Sequence, residues 1–439
     1  MSNKCIGIRR EDKNEWERRT PLTPNDVHAL KENEGLAFVV QPSPIRIFKE
    51  GEYVRAGATV SEDLSGCQVV FAIKEVPVAF IKPNKTYVFF SHTIKGQPYN
   101  MPMLKKIMDS GSTLIDYERV VDEHGRRLIF FGEHAGLAGM IDTLWAFGKR
   151  LNWEGISNPF SDILPAHQYE DLDDAAESIS DVGEKIETKG LDPSLAPLVI
   201  GITGYGNVSR GAQKILTYLP VTEIEPSELE SIFKKESASQ HAIYKIVFHE
   251  EHMVEPVSPT FNFELKDYFN HPEKYKSKFF NYLPYISILV NCIYWDKRYP
   301  RLVTKKELKE LYEREKKPHL RLVGDISCDV EGSIEFTVKT TDSKNPVYVY
   351  DPAKDEAADG VQGRGPVVLA VDNLPCELAK ESSKDFSHVL KRFVPSIAMA
   401  DFSVDFEKLH LPPEIKKAVI VYRGKLTPDY TYLSNYLND

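Results

Sequence analysis

Leu198–Leu219 reads LVIGITGYGNVSRGAQKILTYL, an apolar run that breaks on glycines and restarts at helical spacing. Leu198, Val199 and Ile200 open a buried strand. Gly204 and Gly206 supply the first two glycines of a dinucleotide fingerprint, one for the tight turn and one to let a pyrophosphate approach the backbone. Val208, Ala212, Ile215 and Leu219 then recur at helical intervals. The helix they predict would begin at Asn207, Val208 and Ser209 and turn its first N–H groups toward a phosphate. The third fingerprint position is Ser209 instead of glycine, small enough for close helix–strand packing. The same rule asks for an acid about 20 residues on, at the end of the second strand, to hold the ribose hydroxyls. Glu225, closing the run VTEIE, stands there.

Toward the N-terminus, CIGIRR, AFVVQP, QVVFAIK, YVFFSH and TLIDYE alternate with helix-forming stretches between Cys5 and Val120. That rhythm predicts a mostly parallel sheet covered by helices, with ligands outside the carboxyl ends of the strands. Those ends are ionisable: Arg9, Arg10 and Glu11 after the first, Lys74 and Glu75 after VVFAI, Ser91, His92 and then Lys95 after YVFF, Tyr117 and Glu118 after TLID. One charge at a strand end is a solvated edge. Several in one region, if the strands are parallel, share a rim and build a cleft with acid–base and anion-binding groups. Glu17, Arg18 and Arg19 precede Thr20-Pro21-Leu22-Thr23-Pro24, where Thr23 caps a helix with proline at its first position. Two arginines there suit a bidentate carboxylate clamp.

From Gly132 to Arg150, GEHAGLAGMIDTLWAFGKR carries a small-residue face at Ala135, Gly136, Ala138 and Gly139 and links a first domain to a second. Beyond Glu225 a charged, aromatic segment, about residues 228–282, reads as an insertion at the edge of the nucleotide domain that could serve a subunit contact in a homo-oligomer. His249 and His252 lie within it, without further ligands that would make a metal site. ISILVNCIYW, HLRLVGDISCD and PVVLAVDNLP follow as buried strands. Their polar ends, Asn291 with Cys292, Asp325 through Asp329, and Asp372 with Asn373, would border a nicotinamide ribose and ring. The tail reads as helices with one short strand, AVIVYR, returning to the first domain.

The 439 residues carry a net charge of -10, which argues against a nucleic-acid or anionic-membrane surface and leaves an acidic substrate to local Arg and Lys. The 5 cysteines lack CxxC spacing, so a reducing compartment fits better than a disulfide framework, and no metal is expected. No apolar run reaches the ~20 residues of a membrane span. A strand beginning almost at Cys5 leaves no room for a leader, so a cytoplasmic location is expected.

Together, GIRREDKNEWERRTPLTP, IKEVP, FFSHTIKGQ, LIDYE, GRRLIFFG, GYGNVSRGAQ, NCIYW, DISCDVEGSIEF and AVDNLP resemble, in order and over nearly the whole chain, the lysine–ketoglutarate reductase part of α-aminoadipic semialdehyde synthase. More remotely the pattern is similar to lysine-forming saccharopine dehydrogenase and to the N-terminal halves of alanine dehydrogenase and transhydrogenase. The resemblance implies condensation of the L-lysine ε-amine with 2-oxoglutarate and reduction by a nicotinamide cofactor to saccharopine. It implies Lys74 and His92 as the acid–base couple and gives Arg19, Glu118, Arg127 and Asp372 counterparts in the family. Arg19, Lys95 and Arg127 would anchor carboxylates and Glu118 a substrate ammonium. An imidazole such as that of His92 suits acid–base work near neutrality by its type, whereas Lys74 would need burial or a neighbouring cation such as Lys95. The resemblance implies NADPH. Glu225 by the ribose rule favours NADH, unless it turns away and Ser227 or Lys234 receives a 2′-phosphate. The chain stopping at Asp439 suggests a free-standing reductase without the second, saccharopine-oxidising half. An alanine-dehydrogenase-like amino acid dehydrogenase and a non-catalytic nucleotide sensor are the alternatives.

The expected fold is α/β, two Rossmann-like domains with mostly parallel sheets and an interdomain active-site cleft. The substrate domain would be residues 1–139 plus 377–439, and the dinucleotide domain residues 140–376.

Overall fold

The computed structural model describes residues 4–234, 238–315 and 317–437. The chain divides into two units, Met1–Phe131 with Ala379–Asp439, and Gly132–Leu378. Among the described residues each unit is built on an eight-stranded sheet.

In the first unit, β1 (Cys5–Ile8), β2 (Ala37–Val40), β3 (Thr59–Val60), β4 (Val69–Phe71), β5 (Thr86–Phe89) and β6 (Thr113–Asp116) are all mutually parallel. Their order is β6-β5-β4-β1-β2-β3. The strand ends singled out by sequence therefore do share one rim of this sheet. The helices α1 (Pro24–Glu34), α2 (Glu50–Arg55) and α3 (Met101–Asp109) cover it. Thr23 caps α1 by accepting the Asp26 N–H, with Pro24 at the first position, as expected. The tail returns here: Val419–Tyr422 pairs antiparallel with β6. The helix Ala379–Leu390 offers Ser383 and Ser387 hydroxyls to the N–H groups of Thr20 and Thr23, at 3.0 and 2.9 Å.

The second unit begins with the helix α4 (Gly132–Trp153), then α5 (Leu172–Lys189), β7 (Leu198–Thr203) and α6 (Asn207–Leu216). It continues with β8 (Val221–Glu223), β9 (Ile243–Phe248), the small antiparallel pair β10 (Val254–Pro256) and β11 (Tyr275–Ser277), and then β12 (Ile288–Asn291) and β13 (Leu322–Asp325). The antiparallel hairpin β14 (Val347–Asp351) and β15 (Glu356–Asp359) and the strand β16 (Val367–Leu369) complete it. The sheet order is β15-β14-β16-β13-β12-β7-β9-β8, with β14 antiparallel to β16 and the run from β16 to β8 parallel. Every residue of β7 is buried. Leu198, Ile200 and Ile202 pack into one apolar layer with α4 and α6, while Val199 faces the other layer with Leu289 and Val323. This is the two-sided burial that a continuous apolar strand encodes.

Two expectations change. The boundary lies at 131/132 instead of 139/140, because α4 is one uninterrupted helix from Gly132. The expected insertion at 228–282 contains β9, which pairs over its full length with β7, so part of it is sheet core. Residues 235–237 of that stretch lie outside the described residues.

Candidate functional site

On the rim of the first unit, Glu75 receives His92 Nδ1 at 2.7 Å and Lys13 Nζ at 3.2 Å. Asn100 Nδ2 donates to the His92 carbonyl at 3.2 Å, and the His92 ring lies parallel to Phe90 with centroids 6.1 Å apart. His92 has φ 48°, a left-handed backbone that costs a non-glycine residue about 1 kcal/mol or more. The turn is held by Asp116 at the end of β6, which accepts from the Ser91 hydroxyl, the Ser91 N–H and the Glu118 N–H. Burial pushes the Asp116 carboxyl up to about 6 against those hydrogen bonds. Glu75 goes the other way: burial disfavours its charge, but the His92 hydrogen bond and charge, with Lys13, prevail and hold it at about 2.

Lys74 sits beside this pair. Burial, then the Arg19 guanidinium, lowers its ammonium below the usual lysine range, with Glu17 and Glu75 opposing. The cations that assist are Arg19 and, more weakly, Lys13; the expected Lys95 is exposed, in the turn beyond Ile94. Glu11 fixes the Lys74 backbone, accepting the N–H groups of Ile73 at 2.7 Å and Lys74 at 3.0 Å. Fully buried and facing Glu17, it titrates at about 7.

The expected substrate anchors pair with protein groups. Arg19, 2% exposed, makes a bidentate bridge to Glu17 at 2.7 and 2.6 Å and lies 4.2 Å over the Phe131 ring. A guanidinium this buried requires a counter-charge. Arg127, half exposed, bridges Glu118. The structure thus places Lys74, His92 and Glu118 after strand ends of one rim, with Arg19 reaching Lys74 electrostatically from the β1–α1 loop and Arg127 attached through Glu118, and leaves Lys95 exposed.

In the second unit, Gly204 turns the chain at φ 84°, and Gly206 is the N-cap of α6 without a side-chain cap. A Cβ on Gly206 would meet nothing within 4 Å, so the backbone there is open to close approach. Asn207, Val208 and Ser209 form the first turn of α6, and Ser209 is buried, as the third fingerprint position requires. A cavity of about 290 Å³ adjoins the turn, lined by Gly204, Gly206, Glu250, Tyr268, Cys292 and Trp295 among others. An open glycine turn with free helix N–H groups beside a cavity fits the pyrophosphate of a dinucleotide.

The acid expected at the end of the second strand is displaced. Glu225 follows β8, but the strand beside β7 is β9, and the acid after β9 is Glu250. The Tyr205 hydroxyl reaches Glu250 at 3.5 Å, and its ring stacks on His249 at 4.5 Å. Glu225 instead caps the short turn Pro226–Glu228, and Lys234 pairs with Glu230 at 2.5 Å on an exposed helix. His252 Nδ1 accepts the His249 N–H.

Asn291 also differs from expectation. Its carboxamide accepts from Thr203 at 2.9 Å and donates to Asp325 and Ser333, both at 2.8 Å, so its polar atoms tie β7, β12 and β13 together. Only Cys292, next to it, lines the cavity. Asp329 and Asp372 are exposed, and after burial their charges, with Asp325, push the Cys328 thiol up. Glu11, Lys13, Glu17, Glu75, Asn100, Asp116 and Glu250 are thus the site residues that sequence did not assign a role. Glu11 and Asp116 had a signal as acids ending apolar strands; Glu250 ends a strand hidden in the presumed insertion.

Residues 7–138 match the alanine dehydrogenase/PNT N-terminal domain family. Over 99% of its length the chain is 41% identical to "Alpha-aminoadipic semialdehyde synthase" of Arabidopsis thaliana, and over 98% it is 36% identical to "Alpha-aminoadipic semialdehyde synthase, mitochondrial" of Bos taurus. It spans 41% and 47% of those relatives' lengths, less than half of each. A more distant relative, 28% identical over 89% of this chain and 90% of its own, is "Saccharopine dehydrogenase [NAD(+), L-lysine-forming]" of Neurospora crassa. Among solved structures, an L-alanine dehydrogenase superposes with a TM-score of 0.62 at 17% identity over 99% of both chains. A transhydrogenase from Sinorhizobium meliloti superposes at 0.56 and 14%, over 96% of this chain and 100% of its own. These two support the fold. Among the described residues no helix is long and apolar enough to cross a membrane, and no group of three His, Cys, Asp or Glu is placed to hold a metal ion.

Proposed function

We propose that this chain is a lysine–ketoglutarate reductase, condensing L-lysine with 2-oxoglutarate and reducing the imine with NADPH to saccharopine. The observation that carries the reading is the placement of Lys74, partly buried after β4, one residue from the carboxylate that orients His92. Imine formation needs a base to take a proton from the substrate ammonium and an acid to expel water. Lys74, more often neutral than a surface lysine, takes the proton from the ε-ammonium. His92, held by Glu75, gives a proton to the departing hydroxyl. Opening of the Arg127–Glu118 bridge would free Arg127 for a substrate carboxylate and Glu118 for the substrate ammonium, while Arg19 stays on Glu17. Gly204, Gly206 and the first turn of α6 would hold the cofactor pyrophosphate, with Cys292 and Glu250 along the same cavity. When bound, the cofactor supplies the hydride that reduces the imine carbon.

The similarity to α-aminoadipic semialdehyde synthases over nearly the whole chain supports this reading over an alanine-dehydrogenase-like deamination. The test is the oxidation of reduced nicotinamide with L-lysine and 2-oxoglutarate, singly and together. Oxidation should require both, and His92→Gln should lower kcat by ~100-fold or more with cofactor affinity retained. Turnover of pyruvate with ammonia, or nucleotide binding without turnover, would overturn the proposal.

NADPH follows from the family resemblance. A second reading, NADH, is favoured by Glu250, whose charge at the end of β9 would repel a 2′-phosphate. Relative kcat/KM for the two cofactors, in the native chain and in Glu250→Ser, decides between them. The scattered cysteines, without CxxC spacing, support a reducing compartment. Cell fractionation separates the proposed cytoplasmic location from the organelle named for the mammalian relatives.

A further inference from the structure

Cys5 opens β1 and Cys67 lies two residues before β4, the strand that pairs with β1 in parallel, Ile6 opposite Val69. Their sulfurs are 2.7 Å apart across 62 residues of sequence. Lys85 stands over the pair, its ammonium fixed on the carbonyls of Ser65 and Cys67 at 2.6 and 2.7 Å. The other cysteines are differently placed. Cys292 and Cys376 are buried, and Cys328 directs its thiol to the Ala370 carbonyl at 3.2 Å.

We propose that Cys5 and Cys67 are a peroxide-responsive thiol pair that closes into a reversible disulfide linking β1 to β4. Cys5 is the attacking thiol. It is partly exposed, and the Cys67 hydrogen bond, against some burial and with the help of Lys85, brings it down to about 7. Cys67 is buried, and the same hydrogen bond and its burial keep it protonated. The Cys5 thiolate attacks one oxygen of hydrogen peroxide, the O–O bond breaks, and a sulfenic acid and hydroxide form. The Cys67 sulfur then attacks the Cys5 sulfur, the S–O bond breaks, and the hydroxyl leaves with the Cys67 proton as water. In sum two thiols are oxidised to one disulfide and one peroxide is reduced to two waters. The sulfurs lie at the N-terminal ends of β1 and β4, whereas Glu11 and Lys74 follow the C-terminal ends, so the bond forms away from the acid–base rim. The inference does not depend on the proposed reaction.

The test is exposure of the reduced full chain to hydrogen peroxide at neutral pH, followed by alkylation and peptide mass mapping. The expected result is a Cys5–Cys67 cross-linked peptide, lighter by two hydrogens, formed before the other three thiols lose reactivity and reversed by dithiothreitol. In Cys67→Ser, Cys5 should stop at the sulfenic acid and be trapped by dimedone. If that variant does not fold, mapping of the wild-type chain still decides. Both thiols remaining alkylatable while another cysteine oxidises, or Cys5 passing to sulfinic acid in the wild type without cross-linking, would overturn the proposal.

Discussion

Glu11 is the residue whose environment departs furthest from what its neighbours in sequence suggest. As the acid after CIGIRR it reads as part of a charged rim; in the fold it is fully buried and accepts the N–H groups of Ile73 and Lys74. Burial, then Glu17, raises it from 4.5 to about 7. A raised carboxyl keeps its proton in the folded chain while the unfolded chain releases it, so stability is lost as pH climbs from the unfolded value to the folded one. Glu11→Gln removes that titration. Between about pH 5 and about pH 8 the variant should therefore gain on the wild type by roughly 3 kcal/mol, read from urea unfolding at both pH values. Parallel pH profiles for the two chains would show that the carboxyl is not held protonated. Lys74 and His92 were legible in sequence because each directly follows a short apolar strand. The roles of Glu11 and Asp116 were not, because they depend on which backbone N–H groups the fold brings opposite them, Lys74 for one and Glu118 for the other.

At the scale of elements, the glycine turn and the helix after it were readable, and the strand beside them was not. β9, IYKIVF, mixes buried and half-exposed residues and carries Lys245 at its centre, so it lacks the continuous apolar run of β7. Its place in a stretch rich in charge hid it, and with it the acid Glu250. The distance rule pointed to Glu225 because it takes the next strand in sequence to be the next in the sheet. The small-residue face of α4 was legible, and its partner is α6: a Cβ on Gly136 would stand 1.9 Å from the Val208 carbonyl oxygen, and one on Gly211 would stand 2.0 Å from that of Glu133. Backbone cannot yield as a side chain does. Gly136→Ala should force the helices apart, cost ~1–3 kcal/mol, and weaken dinucleotide binding by shifting the start of α6. Gly206→Ala is the contrast, since its Cβ meets only open space. It should change stability by less than about 0.5 kcal/mol yet reduce cofactor affinity. Denaturant unfolding paired with fluorescence titration of the reduced cofactor separates the two, and equal stability losses would refute the packing argument.

For the molecule as a whole, two α/β units are legible in the sequence, but not the residue at which one ends. The run GEHAGLAG reads as a connection because small residues suit a linker as well as a helix contact. In the fold Gly139 abuts Ile326 and Leu374, and Gly136 abuts Val208, so the run belongs to the second unit from its first turn. That unit, Gly132–Leu378, is continuous in sequence and has apolar layers on both faces of its sheet. The first unit is assembled from two stretches. Without the tail, β6 would lose its neighbour Val419–Tyr422 and present an open edge, and Thr20 and Thr23 would lose the Ser383 and Ser387 acceptors of their buried N–H groups. Residues 132–378 expressed alone should therefore be soluble, unfold cooperatively and bind the reduced dinucleotide. Residues 1–131 alone should aggregate, and adding residues 379–439 in trans should restore a soluble complex, measurable by light scattering and circular dichroism. A soluble, cooperatively folding 1–131 fragment would mean that the tail only decorates the first sheet and does not complete it.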